Sequence, residues 1–361
     1  MTYQDNRRVS REVKVGGLRI GGNAPISIQS MTNTDTHDRE STLMQVRALE
    51  RAGCEIVRLA VPDRDAAPIF AYLKEQGVQV PLVADIHFDY RIALECVAAG
   101  ADKIRINPGN IGSDERVRAV TNACRAAGVP IRIGVNSGSL EKNILAKYGA
   151  PTAEALAESA LFHVSLLEKF DFYDTVVSVK ASGVREMIEA NRLLAERTAC
   201  PLHLGVTEAG GEARGRLRSA IGIGTLLAEG IGDTVRVSLT ADPVREISAA
   251  QEILQALHLG RPSLEIISCP TCGRTKIDLI PLLHRFEEAV AKEGLATCPV
   301  KVAFMGCAVN GPGEAREADV GIAGGVDEAL LFRHGEIITK IPASEVVPRL
   351  VEEVKRLALQ A

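Results

Sequence analysis

The chain contains no tryptophan, and only 5 tyrosines and 8 phenylalanines among its 361 residues. Side chains on which nucleic-acid bases stack are therefore scarce. No surplus of basic residues makes up for them: the formal net charge is -4, whereas nucleic-acid binders usually present a basic face. Nucleic acid is not an expected partner. Also missing is any run approaching the roughly 18–20 consecutive apolar residues of a membrane span. The segment from Met1 to Arg11 is polar and charged, without the apolar core of a secretory leader. A cytoplasmic location away from membranes is the expectation. Eight cysteines without a secretory signal argue against a disulfide framework and for reduced thiols or metal ligation.

What is present is a regular alternation. Short apolar runs bounded by turn residues recur at 25–32, 54–60, 80–86, 103–108, 130–136, 175–181, 202–208 and 234–239, with amphipathic segments such as 40–52 and 89–99 between them. Eight βα units over this length predict an α/β fold, a (β/α)8 TIM-like barrel, over a doubly wound open sheet. A hairpin around Gly16-Gly17 precedes the first strand and is placed to close the barrel floor. After the eighth unit, Gly260-Arg261-Pro262 breaks the pattern. Residues 1–260 are thus expected to form the barrel. Residues 261–361 restart as a small α+β domain, large enough for its own core.

Three of the second domain's cysteines stand out. Cys269-Pro270-Thr271-Cys272 follows a predicted strand and precedes a helix, a two-residue spacing that aims two thiolates at one metal. Cys307 follows the next strand, so in a strand–helix–strand unit with parallel strands it reaches the same edge. Cys298 starts that strand, and nine extended residues span roughly 30 Å, which separates it from Cys307. Spacing alone leaves zinc, a redox dithiol and an iron–sulfur cluster open. Three cysteines with one different ligand suit a reactive cluster better than a closed zinc site. Glu314, after Asn310-Gly311-Pro312-Gly313, can swing a carboxylate back, although a glutamate in such a loop is ordinarily just a surface residue. Cys54, Cys96, Cys124 and Cys200 sit singly in core elements, as small buried hydrophobes do.

The barrel strands carry polar residues of matching parity, which places them on one face. Asp85 and His87 form one such set, Lys103, Arg105 and Asn107 another, and Arg132 and Asn136 a third. Ser178, Lys180 and Ser182, and Arg236 and Ser238, complete the pattern, with Arg58 late in its strand and Glu208 ending the seventh. Buried arginines cost on the order of several kcal/mol unless paired, and barrel sites lie at strand C-termini. Arg58, Arg105, Arg132 and Lys180 gathered in one mouth call for an anion, and guanidinium forks suit phosphate oxygens. Glu208, and Asp85 with His87, are the candidate proton-handling groups. Each can equally orient an arginine.

These residues lie in longer segments that resemble one family over nearly the whole chain. The segments are Gln29-Ser30-Met31-Thr32-Asn33-Thr34, Arg105-Ile106-Asn107-Pro108-Gly109-Asn110-Ile111-Gly112 and Val135-Asn136-Ser137-Gly138-Ser139-Leu140-Glu141, together with 230–239, 268–275 and 305–314. The family is that of the 4-hydroxy-3-methylbut-2-en-1-yl diphosphate synthases of the non-mevalonate isoprenoid pathway, in the two-domain bacterial form. The resemblance implies a [4Fe–4S] cluster on Cys269, Cys272, Cys307 and Glu314, in a domain similar to parts of sulfite reductases. It implies 2-C-methyl-D-erythritol 2,4-cyclodiphosphate as substrate, reduced with ring opening and loss of water. Arg58, Arg105, Arg132, Asn136, Lys180 and Ser238 would hold the diphosphate, and Glu208, Asp85 and His87 would handle protons. Flavodoxin or ferredoxin would supply electrons, and a homodimer would share each active site between subunits.

Overall fold

A computed structural model describes residues 7–307 and 316–360. The chain divides into two compact units, Met1–Leu259 and Gly260–Ala361. Among the described residues no helix is long and apolar enough to cross a membrane.

The first unit opens with the antiparallel hairpin β1 (Val13–Val15) and β2 (Leu18–Ile20). Eight parallel strands follow: β3 (Ser27–Met31), β4 (Ile56–Ala60), β5 (Leu82–Asp85), β6 (Lys103–Ile106), β7 (Ile131–Asn136), β8 (Thr175–Lys180), β9 (His203–Leu204) and β10 (Thr234–Val235). Their order is β8-β7-β6-β5-β4-β3-β10-β9. The ends of that series meet where Val177 pairs with Leu202 and its N–H donates to the Pro201 carbonyl at 2.9 Å, closing the barrel. All eight expected strands are present. The last two are shorter than their apolar runs, and one cause is visible: the Leu239 N–H is taken by the Glu246 carboxylate at 3.1 Å rather than by a neighbouring strand.

Local signals start the helices between the strands. Asp38 caps Arg39–Arg51 by accepting from Ser41 N–H, Thr152 caps Ala153–Glu168, and Asp242 with Pro243 opens Pro243–Ala256. Each helix turns a stripe inward; Leu43, Val46 and Leu49 are one such stripe.

The strand pattern then separates two environments. Residues such as Ile28, Val57, Leu59, Leu82, Ile104, Ile131, Val177, Leu204 and Val235 join the helices in one apolar cluster outside the sheet. The alternating residues face the barrel axis, and most are polar: Ser27, Gln29, Lys103, Arg132, Ser178, His203 and Thr234 are all buried. Barrel interiors are ordinarily filled with bulky branched side chains. Here the apolar core lies between sheet and helices, and the apolar part of the interior sits at the floor. There Val15 and Ile20 of the hairpin pack on Ile56 and Val83, all four at 0% exposure.

The second unit is a five-stranded sheet in the order β11 (Glu265–Ser268), β12 (Lys301–Met305), β13 (Val320–Gly324), β14 (Glu328–Arg333), β15 (Glu336–Pro342). β11, β12 and β13 are parallel, and the rest is antiparallel. Helices Leu279–Lys292 and Val346–Ala358 bury Leu282, Phe286, Leu350 and Val354 with Val302, Phe304, Val320 and Ile322. The Phe286 and Phe304 rings lie 5.0 Å apart.

Candidate functional site

The C-terminal strand ends of the barrel surround a cavity of about 140 Å3, lined by Arg58, Asp85, His87, Arg105, Arg132, Asn136, Ser178, Lys180, Thr207, Arg236 and Ser238. That is below the roughly 300–1,000 Å3 of pockets that enclose drug-sized ligands, so a compact group fits it best. Parity explains the convergence, because each strand delivers its inward residues at the same level. Arg105 lies opposite Arg132 across β6 and β7, and Asn136 opposite Lys180 across β7 and β8.

Five cationic residues line this space, and few acids offset them. Asp85 lies between two arginines: Arg105 Nη1 is 3.1 Å from Oδ1, and Arg58 Nε is 3.6 Å from Oδ2. Burial alone would raise the Asp85 carboxyl, but Arg58 and Arg105 outweigh it and hold it down at about 2. Arg58 also donates to the Met31 thioether sulfur from Nε (3.1 Å) and Nη2 (2.8 Å). Arg105 Nη2 donates to the Gly134 carbonyl at 2.9 Å. This approach requires glycine, since a Cβ at residue 134 would stand 2.4 Å from Arg105 Nε. Arg236 is bound by Glu246, with Nε 3.2 Å and Nη2 3.3 Å from its two oxygens. Glu246 also accepts from Ser30 Oγ at 2.8 Å.

Arg132 is poorly compensated. It is 1% exposed, Nη1 donates to Ser178 Oγ at 2.5 Å, and Nε and Nη2 have no hydrogen-bond partner. Burial, then the charges of Arg58 and Arg105, push its pKa well down. Lys180 is pushed well down in the same way, by burial and then by Arg236 and Arg58. Deeper in the barrel, Lys103 Nζ and both ring nitrogens of His203 also lack partners. A buried surplus of positive charge is costly alone and relieved by an anion.

Most of the expected site residues therefore meet. Arg58, Arg105, Arg132, Asn136, Lys180, Ser238, Asp85 and His87 all line the cavity, with His87 exposed at its rim. Glu208 does not line it. Expected to end the seventh strand, it sits beyond β9, exposed, in left-handed backbone with φ 52°. Sequence reasoning missed Thr207, the Met31 sulfur and Glu246. The signal for Glu246 was available: it lies on the buried stripe of its helix with Pro243, Ile247, Ala250 and Leu254, where a carboxylate calls for a partner.

In the second unit, β11 and β12 run parallel with Ser268 opposite Phe304, so Cys269 and Cys307 follow adjacent strands at one edge. The Cys269 N–H donates to the Phe304 carbonyl, and the Lys276 N–H donates to that of Gly306, both at 2.9 Å. The loop bearing Cys272 is thereby tied to the segment bearing Cys307. These three cysteines are unpaired; Cys269 and Cys307 are half-buried and Cys272 is exposed. Hydrogen bonds from Arg274 lower the Cys272 thiol. Burial instead pushes Cys54, Cys96 and Cys124 up to about 12, as suits inert core thiols. Among the described residues no three His, Cys, Asp or Glu side chains are gathered to hold a metal ion. Glu314 lies outside the described residues. The donor set, three free thiols on one edge, fits a thiolate-held group.

Fold and site together define a class: a (β/α)8 barrel with a compact cationic cavity at its strand ends, joined to an α+β unit with a thiol-bearing edge. Residues 10–251 match the profile of the GcpE TIM-barrel domain, and residues 265–356 that of the GcpE protein C-terminal domain. The 4-hydroxy-3-methylbut-2-en-1-yl diphosphate synthase (flavodoxin) of Ruminiclostridium cellulolyticum is 55% identical over 97% of this chain and 98% of its own. The protein of the same name from Clostridium perfringens is 56% identical over 98% of this chain and 100% of its own. The chain belongs to this family. Among solved structures, a dihydropteroate synthase from Yersinia pestis matches 68% of this chain and 98% of its own at 14% identity and a TM-score of 0.47, too distant to carry an argument.

Proposed function

We propose that the chain reduces 2-C-methyl-D-erythritol 2,4-cyclodiphosphate to 4-hydroxy-3-methylbut-2-en-1-yl diphosphate, with ring opening and loss of water, in isoprenoid biosynthesis. Flavodoxin, which the names of those synthases carry, is the electron donor. The single observation that carries the reading is full-length identity above half to synthases of that name. The cationic cavity supports it independently, since a cyclic diphosphate is a compact anion.

Arg132 and Lys180 bind the diphosphate directly, with Arg58, Arg105, Asn136 and Ser238 around it; guanidinium forks match its oxygens two at a time. Asp85, held ionised between two arginines, acts by fixing them. Reduction by two electrons with loss of water also consumes two protons by atom balance. His87 at the rim and Glu208 on the loop after β9 are the exposed groups that can exchange them with solvent.

Cys269, Cys272, Cys307 and Glu314 would hold a [4Fe–4S] cluster, in a domain similar to parts of sulfite reductases. When bound, that cluster supplies single electrons from the donor protein. The working form is a cytoplasmic homodimer in which one subunit's barrel uses its partner's cluster domain. The test is anaerobic purification with iron and sulfide analysis, then turnover of the cyclic diphosphate with reduced flavodoxin. About four irons per chain with matching sulfide is expected for such a cluster. Stoichiometric zinc without sulfide overturns the cofactor reading, and cluster-loaded protein without turnover overturns the reaction.

A further inference from the structure

Two segments at the barrel mouth, 105–112 and 135–141, carry Arg105 and Asn136. Near the strands both are anchored at Gly134, whose N–H donates to Asn107 Oδ1 at 3.0 Å and whose carbonyl accepts from Arg105 Nη2 at 2.9 Å. Beyond that level they part into a short helix, Pro108–Ile111, and a 3-10 turn, Ser137–Ser139.

His163, on the helix Ala153–Glu168 and 0% exposed, spans the gap. Its Nδ1 accepts from the Gly109 N–H at 3.2 Å. Its Nε2 lies 2.5 Å from Glu141 Oε1. Glu141 Oε2 in turn accepts from Ser159 Oγ at 2.8 Å, one turn earlier on the same helix. A ring nitrogen that accepts from a backbone amide carries no proton, so the proton sits on Nε2, facing the carboxylate. One neutral imidazole therefore serves both loops. The fit is close on the other side as well: a Cβ at residue 109 would stand 2.7 Å from His163 Cε1.

We infer that His163 is a positioning residue, which locks the loops after β6 and β7 to one helix and so holds Arg105 and Asn136 in place for the diphosphate. It rests on the site reading proposed above. The imidazole itself is outside the cavity lining, so it acts through the loops. Displacing a binding group by about 1 Å is enough to cost of order a hundredfold where geometry matters.

The test uses the full-length, anaerobically purified protein without reductant, so that no turnover occurs. Calorimetric affinity for the cyclic diphosphate and hydrogen exchange of the Gly109 amide are measured for the wild type, His163→Ala and His163→Asn. Asparagine places an acceptor where Nδ1 stands and lacks the reach to Glu141. The alanine variant should bind at least tenfold more weakly and exchange Gly109 faster; asparagine should restore the protection but, without the link to Glu141, recover only part of the affinity. Should the alanine variant fail to fold, His163→Asn and Glu141→Gln carry the same comparison, with Glu141→Gln expected to weaken binding severalfold. A folded variant with exposed Gly109 and wild-type affinity overturns the inference. A wild type that does not bind the cyclic diphosphate overturns the site reading instead.

Discussion

Replacing Lys103 with methionine should make the protein more stable. The Lys103 side chain is 0% exposed, points along the barrel axis from β6, and its Nζ has no hydrogen-bond partner. Burial, then the charges of Arg132 and Arg58, lower its pKa well below the ordinary lysine value. Methionine keeps most of the aliphatic stem and removes the amine. A buried unsatisfied group costs roughly 1–3 kcal/mol, and for a unit of this size each kcal/mol moves the melting temperature by about 2–4 °C. Lys103→Met should therefore raise the melting temperature by roughly 2–12 °C near neutral pH. The pH dependence identifies the cause. Because the folded pKa is depressed, the unfolded chain binds more protons, and wild-type stability rises with pH until the unfolded value near 10.4 is reached. Over the part of that window where the folded amine is unprotonated, the wild type gains about 1.4 kcal/mol per pH unit relative to the variant. The variant's advantage should thus shrink as the pH is raised. Urea denaturation of both proteins at several pH values between 7 and 10 measures this. A variant less stable at pH 7, or an advantage constant across pH, would refute the reasoning and mean that the amine is charged and partnered.

Asp85 gives the opposite pH signature. Its carboxyl is held at about 2 against an ordinary 3.8, so its contribution is complete above the unfolded value and lost as pH falls toward 2, roughly 2–3 kcal/mol in all. Asp85→Asn should abolish that share of the acid-side loss in denaturation measured between pH 5 and 2, and an unchanged acid limb counts against the ion pairs. Arg132→Met should weaken cyclic diphosphate binding by about 2–3 kcal/mol in calorimetry without lowering the melting temperature; the reverse pattern would make Arg132 scaffolding. Mixing chains inactivated by Glu208→Gln with chains inactivated by Cys307→Ser should restore activity after subunit exchange, since one composite site per mixed dimer has both halves intact. Verified exchange without recovery would place each site within one chain.

Much of this was legible in the chain itself. The eight strands follow from apolar runs and turn residues, and parity along each strand told which side chains share a face, because a strand's period of two is a local property. The same locality made Arg58, Arg105, Arg132 and Lys180 readable as one basic set, and Cys269, Cys272 and Cys307 as one edge. What parity cannot say is which face looks into the barrel, or who meets whom across it. Asp85 turned out to sit between arginines of two neighbouring strands, and Glu246 to reach Arg236 from the helix after it. Glu208, which reads as a strand end, lies past the end of β9. These outcomes depend on closure: only when Val177 meets Leu202 does a polar face become an interior. Burial in that interior, out of water and beside like charges, then turns side chains that would be unremarkable on a surface into one cationic cavity.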